Sequence, residues 1–213
     1  MGKKRMLSLL CVVLLAGTWL LACTNSQPDA DGSQPVEGGG DADFPAKDLS
    51  QPFALGEKGV VTLSNSAPAE IVVQRGAGDP VFKFLIKAGG IADPEIQVAV
   101  QTIEPEMSED LAALYVPITQ YALQVHVVGE TGYGFMLRPK IEFYFTDDEI
   151  KAAQGQGAVV EPLKGNLFVL YMEQRAGKWV PQKSVSIDEA AAKITVSNVA
   201  GTGAWWLVAQ KAQ

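Results

Sequence analysis

The sequence predicts an all-β protein: an antiparallel β-sandwich of many short strands, with one short helix near residues 147–153. Two observations support this prediction. Apolar and polar residues alternate with a period of two over 96–101 and 123–127, as they do in strands that bury one face. Sequences typical of turns, such as those at 77–80 and 176–177, separate these segments at short intervals. Many short strands at this spacing, with few helical runs, are typical of a sandwich.

Residues 1–22 have the build of a secretory signal peptide. Basic residues at 3–5 precede an apolar run that extends to Ala22, and a polar segment rich in Pro and Gly follows Cys23. An uncleaved membrane helix is the alternative, because about 17 apolar residues is the lower limit for crossing a bilayer. The Gly-Thr pair at 17–18 interrupts the run, which favours the signal peptide.

The tetrad Leu20-Leu21-Ala22-Cys23 resembles the lipobox of bacterial lipoproteins. The resemblance implies that Cys23 is the first residue of the mature chain and that acyl chains such as palmitate anchor it in a membrane of the cell envelope. Each buried methylene contributes about 0.8 kcal/mol, so two or three acyl chains hold firmly. In these families Asp after the cysteine commonly marks retention in the inner membrane. Thr24 therefore implies the outer membrane, where the organism has one.

Residues 23–50 are predicted to be a disordered tether that follows the lipidated cysteine. The segment contains three consecutive glycines at 38–40, several prolines and almost no large apolar residues. Such a segment cannot bury enough surface to offset its ordering entropy. Its r.m.s. reach as a flexible linker is on the order of 25–30 Å. Its acidic residues lack the spacing of a calcium loop and are interpreted as solvated charge.

Residues 51–213 are predicted to form the folded domain, either as one sandwich or as two β submodules over about 51–145 and 146–213. Cys11 would leave with the signal peptide and Cys23 would be lipidated, so no disulfide is expected to support this domain. The strands are predicted at 60–63, 70–74, 81–86, 96–103, 121–128, 135–137, 140–145, 167–174, 178–180, 185–187, 194–199 and 205–209.

Two segments interrupt the strands. Residues 107–115 are predicted to form a helical turn or a loop. Thr146 is a good N-cap for a helix over 147–153, and the acidic residues at 147–149 occupy the first turn, where the helix dipole favours negative charge. Metal binding by these three acids is the alternative. Capping explains them without a ligand and is the preferred interpretation.

The second half of the chain has a recognisable order of strands and turns. Strands over 135–145 are followed by an acidic helical turn, a strand over 167–173 and the sequence Gly177-Lys178-Trp179-Val180-Pro181. This order resembles a bacterial version of the ZU-five domain of ankyrins and netrin receptors. The resemblance implies a β-sandwich with an interaction or scaffold role and no catalytic residues. It also implies that Trp179 packs between two sheets.

Charge and residue counts exclude several function classes. Three of the 17 basic residues precede Cys23 and all 24 acidic residues follow it, so the mature chain has 17 − 3 = 14 basic residues and a formal charge of 14 − 24 = −10. This charge, without a basic cluster, argues against nucleic acid and against electrostatic docking to anionic lipid. His126 is the only histidine, and its parity places it on the outer face of a strand. We predict no catalytic, cofactor-binding or metal-binding residue.

Trp205 and Trp206 are the candidate binding residues. Neighbours on a strand point to opposite faces, so at most one of the two is expected in the core and the other outside or under a loop. An exposed Trp could stack on a sugar ring or on an aromatic or Arg side chain of a partner. The alternative is that it covers a sheet edge.

Together these observations predict a lipoprotein of the bacterial envelope that acts as a non-enzymatic interaction or structural module. Lipid on Cys23 contacts the membrane, and a protein or a glycan is the expected partner. Two alternatives stay open. One is a carbohydrate- or ligand-binding lipoprotein that uses exposed aromatics. The other is a hydrolase based on a pair of carboxylates, which needs only Asp and Glu.

Replacing Cys23 by Ser tests the anchor. We expect Cys23→Ser to abolish acylation and to leave an unprocessed, mislocalised precursor, because lipid transfer needs the thiol. Metabolic labelling with a clickable fatty acid measures the modification directly. Equal labelling of the wild type and the variant would contradict the lipoprotein assignment.

Overall fold

The computed structural model describes residues 44–213 except 77, 131–132, 174–176 and 184. The predicted signal peptide, Cys23 and most of the predicted tether lie outside the described residues. All described residues belong to one compact unit. The helices are α1 Glu109–Leu114 and α2 Asp147–Gly155. The strands are β1 Phe53–Ala54, β2 Lys58–Ser64, β3 Ala69–Arg75, β4 Asp79–Ile86, β5 Glu95–Ile103, β6 Tyr115–Pro117, β7 Ala122–Val127, β8 Lys140–Tyr144, β9 Ala158–Val159, β10 Leu167–Glu173, β11 Lys178–Pro181, β12 Val185–Asp188, β13 Lys193–Val196 and β14 Gly203–Lys211.

The strands form two sheets, as the all-β prediction requires. One sheet has six strands in the order β1-β3-β4-β8-β13-β12. The other has eight strands, with the path β11-β10-β14-β7-β5-β2 and with β6 and β9 also paired to β14. The pairs within these sheets are antiparallel except that of β1 with β3. Each sheet contains strands from both sides of Phe145, so residues 51–145 and 146–213 are not separate submodules.

One predicted strand is wrong and three observed strands were not predicted. Residues 135–137 form a loop. Phe135 is buried, but the adjacent side chains of Met136 and Leu137 are both exposed, which breaks the alternation of a half-buried strand. The strands β1, β6 and β9 have two or three residues each. Such segments are too short to show a period of two.

The central strand of the eight-stranded sheet, β14, is buried on both faces. All seven residues from Gly203 to Ala209 are buried, so this strand does not alternate. Trp205 points into the space between the sheets, where its ring lies 6.2 Å from that of Phe84 and 5.6 Å from that of Tyr171. Gly203 leaves room for Tyr171, because a Cβ atom at position 203 would lie 2.4 Å from the Tyr171 ring.

A second apolar cluster covers the outer face of this sheet. Trp206 and Trp179 pack there with ring centroids 5.7 Å apart, and Met107 and Leu111 cover them from the segment around α1. Ser108 caps α1, since its side chain accepts a hydrogen bond from the backbone N–H of Leu111. The segment predicted as a helical turn or a loop therefore covers the outer apolar cluster, and we call it the lid around α1.

The helix α2 confirms the capping interpretation of the acidic residues at 147–149. The Thr146 side chain accepts a hydrogen bond from the backbone N–H of Glu149, and the Glu149 carboxylate accepts one from the backbone N–H of Thr146. Arg75 also binds both oxygens of Glu149, at 2.6 and 2.7 Å. Both oxygens of the Glu149 carboxylate therefore accept hydrogen bonds, from Arg75 of β3 and from the N-terminal end of α2.

The first described residues belong to the folded domain, so the interpretation of residues 44–50 as tether is wrong. Ala46 forms a parallel bridge with Val60 on the outer edge of β2. Lys47 forms an ion pair with Glu57, and Phe44 contacts His126 with ring centroids 5.8 Å apart. The sequence does not show this contact, because a single bridge has no periodicity.

Trp205 is expected to be the aromatic residue with the largest effect on stability. Trp205→Ala leaves a cavity between the two sheets and should lower the free energy of unfolding by about 3–5 kcal/mol. Trp179→Ala removes a side chain at the sheet edge, where the outer cluster can partly collapse, and should fall at the lower end of that range. Urea unfolding of the mature chain measures both. A larger loss for Trp179→Ala would contradict the assignment of the main core.

Candidate functional site

Trp205 and Trp206 do not form the surface that was predicted for them. Their exposed fractions are 1% and 2%, so neither can stack on a ligand. The predicted binding surface is wrong, because Trp206, although it lies on the outer face as the strand parity predicts, is covered by the segment around α1. There the Trp206 indole Nε1 donates a hydrogen bond of 2.8 Å to the backbone oxygen of Thr119. That bond satisfies the one polar atom of the side chain.

Trp179 is buried, but it does not lie between the two sheets as the family resemblance implies. It sits on β11, at the edge of the eight-stranded sheet, and its side chain joins the outer cluster. Trp179 therefore packs against Trp206 and not against the main core.

His126 lies on the outer side of β7, as its parity predicts. Leu123, Val125 and Val127 of the same strand are buried in the main core, whereas His126 is half-buried. The rings of His126 and Phe44 meet edge to face, with an interplanar angle of 89°. Within the described residues, no group of three His, Cys, Asp or Glu side chains is placed to hold a metal ion.

A charge ladder crosses the outer face of the six-stranded sheet. Lys83 forms an ion pair of 2.7 Å with Glu70, and Lys193 forms one of 3.0 Å with Glu142. The Tyr144 hydroxyl donates a hydrogen bond of 2.6 Å to the other oxygen of Glu142. The ladder lies on β3, β4, β8 and β13, and the register sets Lys83 and Glu142 opposite one another. The two glutamates and two lysines of the ladder therefore carry no net charge.

The electrostatics of the ladder are those of a structural network. Burial by itself would raise the pKa of Glu142, but hydrogen bonds from Tyr144 and Lys193 and the charges of Lys193 and Lys83 lower it overall. Burial, and then the hydrogen bond to Glu142 and its charge, raise the pKa of Tyr144 well above its ordinary value. A general acid needs a raised carboxyl pKa, so Glu142 is tuned in the opposite direction.

Two depressions in the surface meet at Phe168. The first has a volume of about 260 Å³, and its lining residues are Leu114, Tyr115, Phe168, Gln210, Lys211 and Gln213. The second has a volume of about 420 Å³, and its lining residues are Lys164, Gly165, Leu167, Phe168, Gln182, Val185, Ser186 and Ile187. We call this pair the Phe168 clefts. Tyr115 and Phe168 are half-buried, and their rings meet edge to face at 5.6 Å.

The Phe168 clefts were not predicted from the sequence. Phe168 alternates with Leu167 and Val169, whose side chains are in the main core, so its parity alone could have placed it on the outer face. The residues Tyr115 and Gln210 carry no such signal. They meet because β6 pairs with the end of β14, with Tyr115 opposite Gln210.

Comparison with known proteins adds no family. No family model matches the chain, and no curated protein is significantly similar to it. The resemblances to the lipobox and to ZU-five domains therefore stay predictions from the residues quoted above. In the part of the chain that the structure describes, no helix is long and apolar enough to cross a membrane.

The pH dependence of stability tests the charge ladder. The folded-state pKa of Glu142 lies below its ordinary value of 4.5. Its stabilisation is therefore fully present above that value and is lost as the pH falls through the folded-state pKa. Glu142→Gln should lower the free energy of unfolding at pH 7 by about 1–3 kcal/mol. The difference from wild type should shrink steadily below about pH 4.

Urea unfolding of both proteins across this pH range measures the effect. Glu106→Gln is the control, because Glu106 is exposed in the loop before α1. A difference between wild type and Glu142→Gln that stays constant as the solution is acidified would show that the carboxylate does not contribute through its charge.

Proposed function

We propose that this protein is a lipoprotein of the bacterial envelope whose folded domain binds a partner without catalysing a reaction. The anchoring part of the proposal rests on Leu20-Leu21-Ala22-Cys23, with lipid on Cys23. The outer membrane is favoured by Thr24, where the organism has one. The binding part rests on the Phe168 clefts.

The observation that carries the binding proposal is the character of these clefts. They are open to solvent, they adjoin one another, and they combine aromatic rings with the uncharged amides of Gln210, Gln213 and Gln182. Half-buried aromatic side chains with polar groups at the rim are typical of surfaces that bind other macromolecules. Such an arrangement suits an extended partner that lies across the surface.

The clefts lie at the end of the sandwich where the chain enters the domain. Ala46 pairs with Val60 in the parallel sense, so the chain enters the domain at the end where β2 begins. The antiparallel pairs from β2 through β5, β7 and β14 to β10 place the start of β10 and the end of β14 at that same end. We call it the entry end.

A protein is the preferred partner, and a glycan is the second candidate. The glycan candidate is favoured by the Tyr115 and Phe168 rings beside Gln210 and Gln213, because sugars stack on aromatic faces and bond to amides. The hydrolase alternative is not supported by the charge ladder. Glu70 and Glu142 are each paired with a lysine, and the pKa of Glu142 is lowered.

Affinity purification of the intact protein from its own envelope after crosslinking tests the binding proposal. We expect Phe168→Ala and Lys164→Glu to reduce the captured partner at least tenfold, since both residues line the clefts. Lys151→Glu is the matched control, because Lys151 is an exposed lysine on α2 outside both clefts. Melting temperatures verify that each variant is folded.

The same variants separate the two kinds of partner. Binding to isolated cell-wall glycan that depends on Phe168 would favour the glycan, and a crosslinked polypeptide would favour the protein. Equal capture by wild type, Phe168→Ala and Lys164→Glu would contradict the assignment of the clefts.

A further inference from the structure

An apolar tip projects from the loop between β7 and β8. Met136 and Leu137 form it, with exposed fractions of 68% and 46%. In the described part of the chain they are two of the three large apolar side chains that are exposed. They are adjacent, so they form one apolar point and not scattered surface residues.

The fold holds this tip in place. The backbone N–H groups of Met136 and Leu137 donate hydrogen bonds of 2.9 and 3.4 Å to the backbone oxygen of Gly90. Beneath the tip, Phe135 and Tyr133 are buried and their rings contact each other edge to face. The Tyr133 hydroxyl oxygen accepts a hydrogen bond of 3.0 Å from the backbone N–H of Ala92. The apolar side chains are thus exposed on a supported loop.

The supporting turn requires glycine. Gly89 has a φ of +74°, which L side chains rarely adopt. A Cβ atom at Gly90 would lie 2.7 Å from the backbone oxygen of Lys87. The turn over 87–90 therefore brings its backbone directly against the tip.

Three exposed basic residues lie on the segments that form and support the tip. Lys87, Arg138 and Lys140 are exposed. Lys140 begins β8 and pairs with Leu85 near the end of β4, Arg138 directly follows Leu137, and Lys87 begins the turn that supports the tip. The ion pairs found among the described residues do not include these three side chains. The fold therefore brings three exposed basic residues to one end of a chain of net negative charge, which the sequence alone did not indicate.

We propose that the apolar tip, together with Lys87, Arg138 and Lys140, docks onto the surface of an anionic lipid bilayer. Apolar side chains enter the boundary between headgroups and acyl chains, while cations remain at the headgroups. Each cation near an anionic membrane strengthens binding about fivefold. Three exposed acidic residues, Asp93, Glu95 and Glu130, lie at the same end of the sandwich, so the attraction to anionic lipid comes from the three basic residues beside the tip and not from the whole end.

The shape of the tip favours lipid over a protein partner. A projecting pair of flexible apolar side chains fits a fluid surface without a matching groove, whereas a protein would have to supply one.

The tip lies at the end of the sandwich opposite the entry end. The turn over 87–90 that supports it is bonded to Asn65, just after β2 ends, because the backbone N–H of Gly89 donates a hydrogen bond to the backbone oxygen of Asn65. A nine-residue strand is about 30 Å long. The roughly 20 residues between Cys23 and Phe44 span up to about 70 Å when extended, so anchor and tip can reach one membrane.

The test uses the full processed protein, and the inference relies on the proposed anchor only for proximity to the membrane. A polarity-sensitive fluorophore is attached to Met136→Cys and, as a control, to Glu189→Cys in the exposed turn after β12. Both proteins are reconstituted with vesicles of phosphatidylethanolamine and phosphatidylglycerol, and separately with phosphatidylcholine vesicles. Flotation measures attachment, and fluorescence measures contact with lipid.

We expect at least a twofold rise in fluorescence at position 136 on the anionic vesicles, a smaller rise on phosphatidylcholine and none at position 189. Reversing the three charges (Lys87→Glu, Arg138→Glu and Lys140→Glu) should remove the rise without changing the melting temperature. Protein that floats but has equal fluorescence at both positions would overturn the inference and leave the anchor intact. Protein that does not float would overturn both. A rise that requires added envelope proteins would assign the tip to a protein partner and also overturn it.

Discussion

The structure depends on a single strand that is buried on both faces. β14 carries Trp205 into the space between the sheets and Trp206 into the outer cluster, and it pairs with β10, β7, β6 and β9. A strand covered on both sides must be apolar throughout, as β14 is from Gly203 to Ala209. With Cys11 and Cys23 both outside the described domain, apolar packing around this strand carries the stability that a disulfide would otherwise supply.

Because β14 is buried on both faces, the outer faces of the two sheets differ in character. The outer face of the eight-stranded sheet is apolar in part and needs the lid around α1, where Met107 and Leu111 cover Trp206. The outer face of the six-stranded sheet carries the charge ladder, which is neutral in sum and satisfied by its own pairs. The two surfaces to which binding is assigned lie at the ends of the sandwich. The Phe168 clefts are at the entry end and the apolar tip is at the opposite end.

Most of the strands were predictable because their signal is local. A strand that buries one face repeats every two residues, and β2, β3, β5 and β7 are long enough to show it. The cap of α2 was predictable for a similar reason, since Thr146 and Glu149 are three residues apart. The strand expected at 135–137 failed because apolar residues also occur in exposed loops, where only the surrounding fold distinguishes them.

The sequence by itself determined the all-β class, the capped helix and the presence of a candidate lipidation site at Cys23. The tertiary structure decided which surfaces are accessible. Whether Trp206 is exposed depends on a lid that comes from a segment about 100 residues earlier in the chain. Whether Lys87 and Arg138 lie at the same end of the sandwich depends on the antiparallel pairing of β4 with β8. Local patterns specify elements, whereas burial and charge clusters arise from pairing between residues far apart in the chain, which no local pattern contains.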